Sequence, residues 1–210
     1  MIGDFFLGFA LLGADWVLWL LAILSVLSVA VMVERWQYYR TRRIDIDELV
    51  DHVRQAIATD DCEELEERYA THESLPAMVA VAGAKAASSG ANASGEAMNQ
   101  AKARGRRGYE NLLPILGTLG NNAPFIGLFG TVLGIVGAFN KLKENPDGGI
   151  DVVGGDLSEA LVATAIGILV AVPAVIAFNF FNRKLKSVLA GTDEIAHAVL
   201  AEIHSQAEHD

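Results

Sequence analysis

"APFIGLFGTVLGIVGAF", residues 123–139, has the apolarity of a membrane-crossing helix, yet glycine fills four of its seventeen positions and a threonine sits among them. Small side chains serve a helix in lipid only when another backbone approaches closely, because lipid tails supply no hydrophobic force between helices. The stretch therefore predicts a spanning helix in tight contact with a second one. It lies inside a charge-free run of 30 residues, Asn111 to Asn140. Two further runs stand on either side, Trp16 to Val33 with 18 residues and Ala160 to Asn182 with 23. At about 1.5 Å per residue, roughly 20 apolar residues cross a hydrocarbon core about 30 Å thick. Three spans follow, the first reaching slightly past its charge-free limits.

The 210 residues carry a formal net charge of −10, and its distribution says more than its sum. Arg35, Arg40, Arg42 and Arg43 follow the first run; Lys102, Arg104, Arg106 and Arg107 precede the second; Arg183, Lys184 and Lys186 follow the third. The connection between the second and third runs has only Lys141 and Lys143 against Glu144, Asp147, Asp151 and Asp156. Basic flanks mark the cytoplasmic side. The expected topology is an N-terminus outside, three spans and a cytoplasmic C-terminus, in a cytoplasmic (inner) membrane. The start "MIGDFFLGFALLGADW" lacks a basic region and carries Asp4 and Asp15, which argues against a cleaved leader and for an interfacial helix.

The expected organisation is an outer interfacial segment 1–14, a first span 15–36 and a cytoplasmic helical segment 37–110. A second span 111–141, an outer connection 142–158, a third span 159–182 and a cytoplasmic helix and tail 183–210 complete it. Within 37–110 the apolar positions Ile46, Leu49, Val50, Val53 and Ile57 keep helical spacing, Pro76 opens another helix, and "SSGANASG" (88–95) reads as a loop. The fold class is all-α, with long second and third helices continuing into the cytoplasm. Cys62 is the one cysteine, so no intramolecular disulfide is possible, and a reduced thiol is expected. His197 and His204 in the acidic tail form no metal-ligand spacing, and a solvated tail is expected there.

Taking third and fourth residues in turn through the second span gives Gly117, Gly120, Pro124, Gly127, Thr131, Gly134 and Ala138. The third gives Ala160, Thr164, Gly167, Ala171 and Ala174. Each set shares one helix face. Close helix packing explains the glycines. The threonines admit two readings. Both lie roughly 7–14 Å below the outer boundary, where copies of the chain would make a polar ring. Alternatively, each hydroxyl bonds its own helix carbonyl. Glu159 heads the third span. A carboxylate there is a functional candidate by default, or else a marker of the interface. No Asp, Glu, His or Lys stands at mid-membrane depth, so a proton relay through this chain requires an acid from another polypeptide.

"APFIGLFGTVLGIVGAF" followed by "LSEALVATAIGILVAVPAVIAFNFF" resembles the paired signature of the MotA/TolQ/ExbB proton-channel family, most closely its TolQ/ExbB branch. The resemblance implies a homopentamer whose second and third helices line a pore, with the first span at the lipid-facing periphery. Two copies of a single-span ExbD/TolR-like partner would sit in that pore, each bringing an essential aspartate. Thr131 and Thr164 would be pore threonines near that aspartate, and Glu159 the acid heading the third helix. Gly120, Gly127, Gly134, Gly167 and Ala171 would form the small face against the partner helix, and Pro173 and Asn179 would be structural in the third helix. The transported ion would be H⁺, with Na⁺ an open alternative, and the output mechanical, serving envelope transport, envelope integrity or motility. A non-conducting scaffold is the rival reading. No enzyme activity, cofactor, metal or nucleic-acid partner is expected.

Overall fold

The computed structural model describes residues 15–59, 61–69 and 71–207, so the expected interfacial segment 1–14 lies outside the described residues, as do 208–210. Helices account for nearly all of it, and no strand occurs among the described residues. In chain order they are α1 (Asp15–Thr41), α2 (Ile46–Ala58), α3 (Cys62–Tyr69), α4 (Leu75–Lys85), α5 (Ala91–Glu110), α6 (Leu113–Glu144) and α7 (Gly149–Ala207). Three stretches, within α1, α5–α6 and α7, are long and apolar enough to cross a membrane. The chain divides into two compact units: α1 up to Glu34 with Leu112–Phe180, and Arg35–Asn111 with the remainder of α7 from Phe181.

In the membrane unit the spans meet along their small residues. A Cβ at Gly127 would stand 2.6 Å from the Ala163 carbonyl oxygen and 2.9 Å from Thr164 Cα. One at Gly167 would stand 2.6 Å from the Ala123 carbonyl oxygen and 3.1 Å from Gly127 Cα. The two backbones thus cross at a separation that no side chain permits. Val17 and Leu21 of α1 are fully buried and join Ala123, Leu133, Val170 and Ala171 in one apolar cluster. The opposite faces carry bulky residues outward, among them Phe125, Leu128, Val132, Ile135 and Phe139 of α6, spaced three and four apart.

The second unit is a bundle of shorter amphipathic helices. Leu49, Val50, Val53, Ala56 and Ile57 bury one face of α2, whose start is capped by Asp45 Oδ1 accepting from the Asp47 and Glu48 backbone N–H groups at 3.0 and 3.3 Å. Tyr109 ties two helix ends together: its hydroxyl accepts from the Leu75 N–H at 3.2 Å, and its carbonyl accepts from the Tyr39 hydroxyl at 3.0 Å. Arg35, 2% exposed, donates through Nη1 to the Gly108 carbonyl at 2.9 Å. These side chains satisfy carbonyls that the last turn of α5 leaves without helical partners. Burial raises the pKa of the Tyr39 and Tyr109 hydroxyls, so both stay protonated through the neutral range.

Four expectations change. The second long helix is not continuous: α5 ends at Glu110, Leu112 takes a left-handed φ of 62°, and α6 restarts with Pro114 in its first turn. Proline has no N–H to continue the ladder. The loop expected at 88–95 shrinks to its first residues, because Ser94 Oγ donates to the buried Gly83 carbonyl at 2.8 Å and holds the start of α5 in helix. Most of the connection 142–158 is also helical, since α7 begins at Gly149 after a short 3₁₀ turn at Pro146–Gly148. Extending an existing helix adds a bond per residue without a new nucleus, which outweighs the local glycines. The tail, finally, is not simply solvated. Ile195, Ala198, Val199 and Ile203 are buried, and Gln206 Nε2 donates to the Ile57 carbonyl at 2.6 Å. At 59 residues α7 is about 90 Å long, far more than the hydrocarbon thickness.

Candidate functional site

The residues singled out in the sequence fall on α6 and α7 within the membrane unit. The crossing fixes their levels. A Cβ at Gly130 would stand 2.8 Å from Ala163 Cβ, and the helices run antiparallel. Their next residues, Thr131 and Thr164, therefore lie within about 3 Å of one another along the bundle axis. The two threonines do share one depth, yet they differ in chemistry. Thr131 Oγ1 donates to the Leu128 carbonyl at 2.6 Å, bonding back to its own helix. Thr164 Oγ1 is buried and has no hydrogen-bond partner among the described residues. A buried hydroxyl left so costs roughly 1–3 kcal/mol, which a native site recovers when a water or an incoming group supplies the bond.

Glu159 lies five residues before Thr164 on α7, about 7.5 Å away along the axis. Its Oε1 is likewise buried without a partner. One turn earlier on α7, Asp156 Oδ1 accepts from Lys141 Nζ of α6 at 2.7 Å.

Gly120, Gly127, Gly134, Gly167 and Ala171, expected to face a partner helix, are instead buried within this chain. Gly127 and Gly167 face each other, a Cβ at Gly120 would overlap the Val175 side chain, and one at Gly134 would stand 3.1 Å from the Asp156 carbonyl oxygen. The two small stripes read from the sequence meet one another, because each alone permits the approach the other needs. Pro173 and Asn179 sit on exposed positions of an uninterrupted α7. No group of three or more His, Cys, Asp or Glu stands close enough to hold a metal among the described residues.

A family model described as the MotA/TolQ/ExbB proton channel family matches residues 71–194. The biopolymer transport protein ExbB of Xanthomonas campestris pv. campestris is 46% identical over 101 residues, covering 48% of this chain and 40% of that protein. The Tol-Pal system protein TolQ of Pseudomonas aeruginosa is 38% identical over 108 residues, covering 51% of this chain and 47% of its own length. TolQ of Haemophilus influenzae is 41% identical over 92 residues, or 44% of this chain and 40% of the relative. The matched stretch thus spans less than half the length of each of these relatives.

Proposed function

The chain belongs to the MotA/TolQ/ExbB proton channel family, in its TolQ/ExbB branch, and we propose that it is the proton-conducting subunit of an ion-driven motor in a bacterial inner membrane. In this reading the N-terminus is periplasmic and the C-terminus cytoplasmic. Five copies surround a pore that holds two helices of an ExbD/TolR-like partner. The observation that carries the proposal is the buried, unpartnered hydroxyl of Thr164, level with Thr131 in a bundle that has no mid-membrane acid of its own. A polar group left open at that depth, in a chain lacking a proton acceptor there, fits a site completed by another polypeptide.

Protons then move from the outer side past Glu159 and the threonines to an aspartate on the partner helix. Thr164 offers a hydrogen bond to the water or carboxyl that carries the proton, while Thr131, committed as a donor to Leu128, can still accept one. The partner helix meets the exposed positions beside the threonines, since the glycines are occupied in holding α6 against α7. Neutralising the aspartate lets it leave its polar niche, and losing the proton towards the cytoplasm restores the charge. One charge crossing the potential releases about 2.3 kcal/mol per 100 mV, several times thermal energy, and this biases a step between two packings of similar energy.

The test is proton flux into proteoliposomes holding the chain with its ExbD/TolR-like partner, comparing wild type with Thr164→Val. Flux that requires the partner and collapses in the variant is the expected outcome. Flux that is indifferent to Thr164 overturns its assignment. A stable complex carrying no flux under any load favours a scaffold, and flux that follows a Na⁺ gradient instead of pH replaces the ion.

A further inference from the structure

We propose that the part of α6 nearer Leu113 borders a water-filled recess open to the cytoplasm, in which Thr118, Asn121 and Asn122 hold the water that takes up the departing proton. The inference rests on the proposed reading of α6 as a pore helix with its start on the cytoplasmic side, and it adds an exit to the threonine level described above.

The exposed face of α6 changes character along its length. Pro114, Thr118, Asn121 and Asn122 are all exposed, and their spacing places them on one side of the helix. Phe125, Leu128 and Val132 continue that side, and the exposed large apolar residues of α6 begin only at Phe125. The neighbouring span behaves differently at the same level. A Cβ at Gly120 would stand 3.1 Å from the Val175 backbone nitrogen, so this part of α6 lies beside Val175 of α7. There Val172 and Ile176 are 52% and 63% exposed. Hydrocarbon thus suits α7 at a depth where α6 shows two amides and a hydroxyl.

Asn121 stands eight residues into α6 from Leu113, about 12 Å along its axis. Hydrocarbon offers an amide no hydrogen bond, so exposed amides at such depth face protein or water. The chemistry of the patch selects water. Each amide offers two N–H donors and an acceptor oxygen, and Thr118 adds a hydroxyl. Asn122 spends one donor within its own helix, on the Thr118 carbonyl at 2.9 Å. The remaining groups spread over about 100° of helix surface, more than one facing side chain can reach. Pro114 leaves the way to the helix start without a bulky apolar plug.

Ten residues, about 15 Å, separate Asn121 from Thr131, and Phe125 and Leu128 occupy the exposed face between them. These side chains keep the recess and the threonine level from joining in one column of water. The proton leaves the partner's carboxyl for a water at the margin of the recess. One O–H bond breaks, one forms on that water, and the amide oxygens accept from the resulting hydronium. The asparagines themselves exchange no proton. A plainer role for Asn121 is a bond to a neighbouring copy of the chain, as asparagine makes between membrane helices. That role requires the position to be dry.

Thiol labelling separates the two. Thr118→Cys, Asn121→Cys and Leu128→Cys are made one at a time in a Cys62→Ser background, with the full chain and its ExbD/TolR-like partner in inside-out membrane vesicles. A charged, membrane-impermeant methanethiosulfonate is the probe. Thr118→Cys and Asn121→Cys are expected to react at least about tenfold faster than Leu128→Cys, because the reactive thiolate forms in water. An Asn121→Cys that reacts no faster than Leu128→Cys, in a complex that assembles as the wild type does, overturns the recess. A disulfide between copies at that position, formed in place of labelling, overturns it in favour of the contact. Asn121→Ser, which keeps a hydrogen-bonding group, should retain proton flux that Asn121→Leu reduces severalfold; equal flux in the two overturns the role in proton exit. The conduction reading fails separately. If Asn121→Cys labels as stated while proteoliposomes conduct no protons, the recess stands and conduction falls. If flux depends on Thr164 while Asn121→Cys stays unlabelled, conduction stands and the recess falls.

Discussion

The membrane unit and the second unit of this chain are both helical bundles, held together by opposite means. Around Gly127 and Gly167 the helices touch backbone to backbone, with almost no side chain between them. Around Tyr109 and Leu75 the helices are held by buried apolar side chains and by hydrogen bonds that close helix ends. The difference follows from what each surface would otherwise meet. Lipid rewards no apolar burial, so association depends on close contact and small residues. In the amphipathic bundle, removing apolar surface from water supplies about 25 cal/mol per Å², and large side chains are the better choice.

The sharpest way to break that comparison is one substitution made twice. Gly127→Ala places a methyl against the Ala163 carbonyl oxygen and Thr164 Cα, neither of which can turn aside. Overpacking against backbone is expected to cost about 2–3 kcal/mol. Gly83→Ala in α4 meets only side chains, Met98 Sδ at 2.6 Å and Cγ at 2.8 Å with Val199 Cγ1 at 3.1 Å, and the methionine can turn aside. Its cost is offset by better helix propensity, and the net change should stay within about 1 kcal/mol. Thermal unfolding of both variants in detergent, followed by circular dichroism, measures the contrast. Equal losses would mean that the glycines of the spans are not there for close approach.

Next in size is Tyr109→Phe, which removes the acceptor of the buried Leu75 N–H and should destabilise the second unit by about 1–3 kcal/mol. Hydrogen exchange should show the loss in α4 and α5 while the protection of α6 is unchanged. A uniform loss across the chain would mean that the two units unfold as one. The smallest effect sharpens the comparison from within the membrane unit. A Cβ at Gly154 in α7 meets nothing within 4 Å. Gly154→Ala should therefore gain about 0.5–1 kcal/mol, visible as a slightly raised unfolding midpoint. Glycines of the membrane unit would then act in opposite directions according to what faces them.

Much of the fold is legible without coordinates. The charge-free runs give the number of spans, and the 3-4 spacing of Gly120, Gly127, Gly134, Gly167 and Ala171 gives the small faces. The breaks are less legible, since Leu112 looks like any apolar residue in a helix and nothing in its residue type signals a left-handed backbone. Within the site, Glu159 and the two threonines stand out by residue type in an apolar setting. That Thr131 is bonded and Thr164 is not could not be read from residue type, which is the same for both.

Apolarity and periodicity are properties of a segment, so the sequence by itself determined three spans, an all-helical chain and which residues share a face. A periodic pattern says nothing about the surface which that face will meet. Only the tertiary structure decided that the two small stripes close on each other within one chain, and that Thr131 spends its proton on Leu128 while the Thr164 hydroxyl stays open. Those outcomes depend on distances between segments far apart in sequence, and it is the packing of backbones at van der Waals contact that sets them.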